Sequence, residues 1–353
     1  MKRIKEIILY LISIVIVLSA CNQIEPQKNR LYLVIENNKR GFIDSNGKVI
    51  INPQFDWVLS FSEGLAPIRV GNKWGFIDQM GREVIPAVYD GVESFKDGLA
   101  AIKINNKWGF IDKAGSRVIR CKFNQDDYHI PPVVCFSEGL ARVMVGNWGT
   151  GKWGFIDKNE NFVISPQFEY AENYSEGLAH ISIGGRDGFI DKKGQIVINP
   201  QFDDAHNFCE DVACVMIGDK DNGKWGYINK KGEFIIDPQY DNADDFSEGY
   251  ACVKFDGKYG YINKKGTFII KPQFDEGNCF SEGLAAVKIS DKWGYIDING
   301  KYIINPNYLM AQCFAGGIAP VQDQQFQFHY IDRKCNFIWT SNEIPYEVLI
   351  QPH

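Results

Sequence analysis

The sequence predicts an all-β protein of tandem repeats, each ~34 residues long and each a three-stranded antiparallel β-meander, joined into an open, elongated array. Three observations predict it. The pattern Gly-aromatic-Ile-Asp/Asn begins at Gly41, Gly75, Gly109, Gly154, Gly188, Gly226, Gly260 and Gly294, with a ninth, worn copy, "HYID", at His329. Successive copies start 34, 34, 45, 34, 38, 34, 34 and 35 residues apart. Within each unit, segments such as "LAPIRV" (65–70), "LARVMV" (140–145) and "LAAVKI" (284–289) place apolar residues at every second position, the signature of a half-buried strand. Finally, the connections are short and rich in Gly, which suits antiparallel neighbours and leaves no room for crossover helices.

Taken in order, a unit reads as a first strand ("LAPIRV"), a tight turn, a second strand ("WGFID"), a Gly-bearing turn and a third strand ("EVI"). An aromatic stands fourteen residues after each full-copy glycine, from Phe55 and Tyr89 to Phe274 and Tyr308, and a second one twenty residues after in every unit but the third. The segment from the Pro-x-aromatic element to the recurrent "SEG" turn reads as loop. Because "LYLVIE" (31–36) opens the repeats with a first strand and "HYIDRKCNFIW" closes them with strands two and three, both ends look complete. That favours the open array over the alternative, a closed propeller-like toroid.

Residues 1–20 have a basic start (Lys2, Arg3, Lys5), an apolar run from Ile7 to Val17 and then "LSAC", the layout of an export signal rather than a spanning helix. The Cys after Leu-Ser-Ala resembles the lipobox of bacterial lipoproteins, which implies cleavage before Cys21 and a lipid on that residue. An ordinary signal peptide that ends at a Cys is the alternative. Residues 21–30 then form a polar tether, 31–339 the array and 340–353 a tail. The expected location is the bacterial cell envelope, with the chain lipid-anchored to a membrane.

"KWGFID" at Lys73, Lys107 and Lys152, "KWGYIN" at Lys224 and "KWGYID" at Lys292, each followed by "VI-x-P-x-F"-like and "F-S-E-G-L-A"-like segments, resemble the WG-repeat, or KWG-repeat, proteins of bacteria. The resemblance implies an exported β-rich protein with no enzymatic activity attached to the repeat. Arg40, Asp187, Tyr259 and Phe328 stand where the motif has Trp, which argues against a ligand box shared by all units.

The chemistry the sequence offers is correspondingly thin. The motif tryptophans could form a platform for sugars or cations. At strand spacing from the following Phe or Tyr they could equally pack between units, with the intervening Gly marking a bulge or a close backbone approach. The "SEG" carboxylates (Glu63, Glu138, Glu176, Glu248, Glu282) recur in identical surroundings, whereas acid/base work needs carboxylates in contrasting ones, so they read as turn residues capping backbone amides. "GDKDNG" (218–223) starts like an EF-hand loop but has Lys230 where the twelfth-position Glu is needed. Neither the five histidines nor the nine cysteines show metal-ligand spacing, so no metal and no cofactor are expected. Matched cysteines such as Cys279 and Cys313 are expected about three strand spacings of ~4.8 Å apart, beyond disulfide reach. A net charge of −6 argues against nucleic acid as a partner.

One unit breaks the rhythm. "NQDDYHIPPVV" (124–134) and "GNWGTGKWG" (146–154) lengthen the third repeat, and insertions in arrays are where specificity is often placed, although a tolerated surface insertion fits as well. Tyr128, His129 and Trp148 are the candidate ligand contacts. The functional expectation is a non-enzymatic envelope scaffold for a protein partner, the alternative being a carbohydrate-binding protein that uses exposed aromatics.

Overall fold

The computed structural model describes residues 30–124, 135–146, 150–219 and 221–343. Among them every regular element is a β-strand. The first sheet consists of β1 (Tyr32–Glu36), β2 (Lys39–Ile43) and β3 (Val49–Phe55). The second consists of β4 (Trp57–Val58), β5 (Leu65–Val70), β6 (Lys73–Asp78) and β7 (Glu83–Tyr89), hydrogen-bonded in that order and antiparallel throughout. Seven further four-stranded sheets repeat this plan, so there are nine blades in chain order.

This corrects the expected fold class. The units are not three-stranded meanders in an open array: the chain has the β-propeller fold, with nine antiparallel blades among the described residues, the first of three strands and the other eight of four. What overturns the expectation is the two-residue strand exemplified by β4, which sits in the stretch read from sequence as loop and pairs with the strand that follows the "SEG" turn. Each blade therefore starts before its "SEG" turn and straddles the boundary that the motif suggests. The apparent completeness of the two ends was a consequence of counting three strands instead of four. In addition, the Asn38 amide of the first hairpin donates to the Glu343 carboxylate near the other end of the chain, at 2.9 Å.

Two compact units divide the fold. One holds blades 1–5 (Gln27–Phe202, with Glu343–Pro345) and the other blades 6–9 (Asp203–Asn342). Within each, the core lies between consecutive blades. Leu65, Phe76 and Ile85 of blade 2 pack against Val92, Phe95, Ala100, Ile102 and Ile111 of blade 3, with Trp74 partly buried against them. The motif aromatic meets the second aromatic of the following blade edge-on or tilted, as in Phe76–Phe95 at 4.9 Å and Tyr295–Phe314 at 4.8 Å. Where Tyr replaces Phe, its hydroxyl donates to a loop carbonyl: Tyr227 to Asp244, Tyr261 to Asn278 and Tyr295 to Gln312.

The motif thus has a residue-by-residue explanation. Trp74 pairs with Tyr89 and Phe76 with Ile85, so three residues of β6 oppose five of β7 and the strand bulges over Gly75. Proline is tolerated in that strand because the bulge removes ladder partners. The Asp that ends β6 caps the next turn, with Asp78 Oδ1 accepting from the amides of Met80 (2.9 Å) and Arg82 (3.0 Å). The Lys before Trp forms a latch: Lys73 reaches Asp90 Oδ1 at 2.6 Å, while Asp90 Oδ2 takes the Asn105 amide of the next blade's hairpin at 2.8 Å. Lys39, Asp56 and Gly71 repeat the arrangement one blade earlier. These contacts hold Asp56 and Asp90 below the usual carboxylate range. Because the pairs are solvent-exposed, Lys73→Ala is expected to cost no more than ~1 kcal/mol in urea unfolding.

The "SEG" turns act between blades. Glu63, held at φ 50°, accepts from the Gly98 amide of the following blade's turn, and Glu138 accepts likewise from Gly177, both at 3.1 Å. Glu248 and Glu282 do the same for Gly283 (2.8 Å) and Gly317 (3.0 Å). The amide-capping role expected from sequence holds, with the capped amide belonging to the next turn. Cys313 Sγ lies 3.8 Å from the Cys279 carbonyl oxygen, contrary to the expected spacing, because equivalent loops of consecutive blades meet directly rather than across intervening strands.

Candidate functional site

Once the motif residues are assigned to packing and latching, three features remain that the repeat does not require. The first is the row of hairpin tips joining the second and third strands of the blades. The last residue before the turn is apolar yet exposed: Val70 51%, Val145 49% and Ile183 41% in one unit, and Ile217 40%, Phe255 40% and Ile289 37% in the other. At Ile183, Phe255 and Ile289 the strand ends in a tight turn with positive φ at both central residues, Gly184–Gly185, Asp256–Gly257 and Ser290–Asp291, and at Val70 the turn opens on Gly71 at φ 61°. The EF-hand-like stretch is one of these tips. Its Asp219 Oδ1 is taken up by the amides of Asp221 and Asn222, at 3.0 and 2.8 Å, and no metal-binding group occurs among the described residues.

The second feature is a set of buried polar side chains. The position opposite the motif aromatic holds Ala101, Cys214 and Ala286 in some blades, but Arg142 in blade 4 and His180 in blade 5. Arg142 is 5% exposed. It lies 3.2 Å from Glu172 Oε1, donates to the Ala171 carbonyl and packs over Trp153 at 5.1 Å. Tyr170, which donates to Glu172, is pushed up to about 12, chiefly by burial. His180 Nε2 stands 3.0 Å from Asp187. In the other unit His206 Nδ1 lies 3.0 Å from Asp245 and its ring 4.9 Å from Trp225.

These loops carry carboxyls that prefer to be neutral. Burial pushes Glu93 and Asp244 up to about 7. His206 is also raised: burial opposes its charge, but Asp245 more than compensates. A group whose folded-state pKa is raised stabilises the fold below its unfolded pKa and loses that contribution as pH climbs to the folded value. Glu93 and Asp244 therefore make stability decline from about pH 4 to about 7, and His206 adds a decline that begins only as pH rises past about 6.5, whereas Asp56, Asp78 and Asp90, held low, withdraw theirs only below about pH 4. The expected melting temperature falls between pH 5 and pH 7.5, and Asp244→Asn or Glu93→Gln should flatten that decline in a calorimetric pH series.

The third feature is a cleft of about 470 Å³ in the tip region of blades 1 and 2, lined by Asn38, Arg40, Asp56, Trp57, Arg69, Gly71 and Asn72. Its walls form an alternating stack: the Arg40 guanidinium lies 4.8 Å from the Trp57 ring, and Arg69 lies 5.6 Å from Trp57 and 5.8 Å from Trp74.

Of the residues singled out in the sequence, Cys21, Tyr128, His129 and Trp148 lie outside the described residues. The motif tryptophans are packing residues: Trp108 and Trp153 are buried, and Trp74, Trp225 and Trp293 are partly buried against inter-blade clusters. Arg69, Arg142 and His206 were missed. Two of the polar groups had a signal, since Arg40 and Asp187 occupy motif-Trp positions and both prove to hold polar or cation–π contacts. Arg142 had a fainter one, as a long cation where other repeats carry Ala or Cys.

No curated protein matches the chain. Among solved structures, it is similar to one described as the eukaryotic initiation factor, at 11% identity over 90% of this chain and 97% of that one, with a TM-score of 0.63. It also matches the computationally designed Ika8 protein (12% identity, 77% and 94% covered, TM-score 0.47) and BamB from Moraxella catarrhalis (11%, 85% and 95%, 0.43). At such identities the first likeness speaks for the fold alone. The family model for the WG containing repeat matches residues 41–74, 74–108, 108–147, 153–186, 188–220, 225–259, 259–293 and 293–324, and the chain belongs to that family.

Proposed function

We propose that the protein is a non-enzymatic binding scaffold of the bacterial envelope, held to a membrane by a lipid on Cys21, whose hairpin tips dock a protein partner. The observation that carries this reading is the recurrence of an exposed apolar residue at the same tip position in six blades, Val70, Val145, Ile183, Ile217, Phe255 and Ile289. A scattered exposed apolar residue needs no explanation, but one repeated at the same place in three blades of each unit offers a recurrent contact point. The commitment of the repeated carboxylates to turns and latches supports the non-enzymatic part, because acids engaged alike in blade after blade are poorly placed for acid/base work.

The test is cross-linking and pull-down from native membranes with the full-length protein, alongside Phe255→Ser/Ile289→Ser and a glycan array. The expected result is a defined protein captured by the wild type and lost with the tip variant. Capture that ignores the tip variant, or a specific glycan signal abolished by Trp225→Phe, would contradict it.

A further inference from the structure

One position recurs in every blade from the second to the ninth without recurring in residue type: the one just before the second aromatic. It is a serine in blades 2 and 3, Asn173, Asn207 and Asp245 in blades 5 to 7, and a cysteine in blade 4 (Cys135) and in blades 8 and 9 (Cys279, Cys313). Among the described residues, only the boundary between blades 8 and 9 has a cysteine on both sides.

Side chains at this position reach across the boundary between blades. In blades 4 and 5, Asn173 Nδ2 lies 3.5 Å from Cys135 Sγ. In blades 8 and 9, Cys313 Sγ stands 3.8 Å from the Cys279 carbonyl oxygen. Two residues after Cys279, Ser281 Oγ donates to the Phe314 carbonyl at 2.7 Å and holds the two loops together. Both cysteines are free thiols, Cys279 half-buried and Cys313 only 4% exposed. The Cys279 side chain, together with burial, pushes the Cys313 thiol well above the usual thiol range, so the two side chains act on each other at close range. Each follows a two-residue strand and precedes the next turn, outside the ladders of its blade, so rotation of the two side chains about Cα–Cβ can bring the sulfurs together while the strands stay paired.

We propose that Cys279 and Cys313 are a site of reversible oxidation, closing a disulfide that fastens blade 9 to blade 8. The inference goes beyond the scaffold reading and does not depend on it. The oxidant is a small-molecule disulfide. Cys279, the more exposed of the two, attacks one of its sulfurs as the thiolate. The S–S bond of the oxidant breaks, one half leaves as a thiol carrying the proton that Cys279 gave up, and the other half stays on Cys279 as a mixed disulfide. Cys313 then gives up its proton and attacks the Cys279 sulfur, and the second half leaves as a thiol with that proton. Two protein thiols are oxidised and one disulfide is reduced to two thiols.

The experiment incubates the reduced full-length protein with oxidised glutathione under native conditions, alkylates the remaining thiols after unfolding and maps the peptides by mass spectrometry. The expected result is a peptide pair joining Cys279 to Cys313, two hydrogens lighter than the separate thiols and reopened by dithiothreitol. Cys252, the buried thiol on which Cys279 also acts, should be alkylated. Cys313→Ala should carry glutathione on Cys279, whereas Cys279→Ser should leave Cys313 unmodified. The bridge closes a long loop, so the oxidised wild type should melt about 3 °C or more above the reduced protein, with no such rise in Cys313→Ala. Melts of the reduced variants show that they fold. Full alkylation of Cys279 and Cys313 after oxidation, a Cys279–Cys252 bridge instead, no glutathione on Cys279 in Cys313→Ala, or an oxidised wild type that melts no higher would overturn the proposal.

Discussion

Gly260→Ala is expected to destabilise the protein by about 3 kcal/mol or more, at the upper end of what overpacking costs. A Cβ at this position would stand 2.6 Å from the Ile270 carbonyl oxygen and 2.7 Å from the Pro272 nitrogen. Both are backbone atoms of the bulged strand Phe268–Phe274, so no side-chain rotation can clear them. The contrast is Gly64, whose φ of 89° suits glycine but whose Cβ would meet nothing within 4 Å. There Ala pays only for backbone strain, of order 1–2 kcal/mol. Urea unfolding of the two variants side by side separates steric approach from conformational strain. Blade 9 supports the assignment from within the molecule: His329 stands in place of the glycine, and there Phe328, His329 and Tyr330 pair in regular register with Ser341, Thr340 and Trp339, without a bulge at that point.

Arg142→Ala is expected to cost 3–5 kcal/mol, the usual penalty for breaking a buried ion pair from one side. The arginine and Glu172 side chains are 6% and 14% exposed and 3.2 Å apart. Removing the cation strands the Glu172 carboxylate and the Ala171 carbonyl and deprives Trp153 and Tyr170 of the group that packs on them. The blade does not need a charge here. Ala101 and Ala286 face the motif aromatic at the same register in their own blades. Replacing both partners, as in Arg142→Met/Glu172→Leu, should therefore recover most of the loss, because apolar replacement of a whole buried pair is commonly near neutral. A double-mutant cycle by denaturant unfolding checks this, and an Arg142→Ala cost below ~1 kcal/mol would show the pair to be a bystander.

Much of the blade was legible in the sequence because its physics repeats. Alternation in "LAPIRV" gives β5, the Trp-Gly-aromatic triplet gives β6 and its bulge, and Asp78 gives the turn that follows. The two-residue strand was not legible, since Trp57–Val58 is too short to display a period, and its only trace is the small apolar residue at Val58, Val92, Ala171, Ala205, Ala243 and Ala311. Missing that strand is what turned a propeller into an expected open array. Site residues were harder for a related reason. A motif comparison sees what units share, whereas Arg69, Arg142 and His206 are what single blades add, and their partners, Trp57 in the two-residue strand and Glu172 and Asp245 in the loops that follow that strand in their own blades, come from a stretch that the repeat leaves free to vary.

The central claim is that the repeated motif builds the blades while the hairpin tips do the binding. The most direct test measures stability and partner capture together, for Ile217→Ser/Phe255→Ser/Ile289→Ser at the tips and for Trp225→Phe in the inter-blade core. The account predicts that the tip variant melts like the wild type and captures no partner, whereas Trp225→Phe melts lower and, below its transition, captures as the wild type does. A tip variant that captures normally, or a Trp225→Phe protein that melts normally but captures nothing, would contradict it.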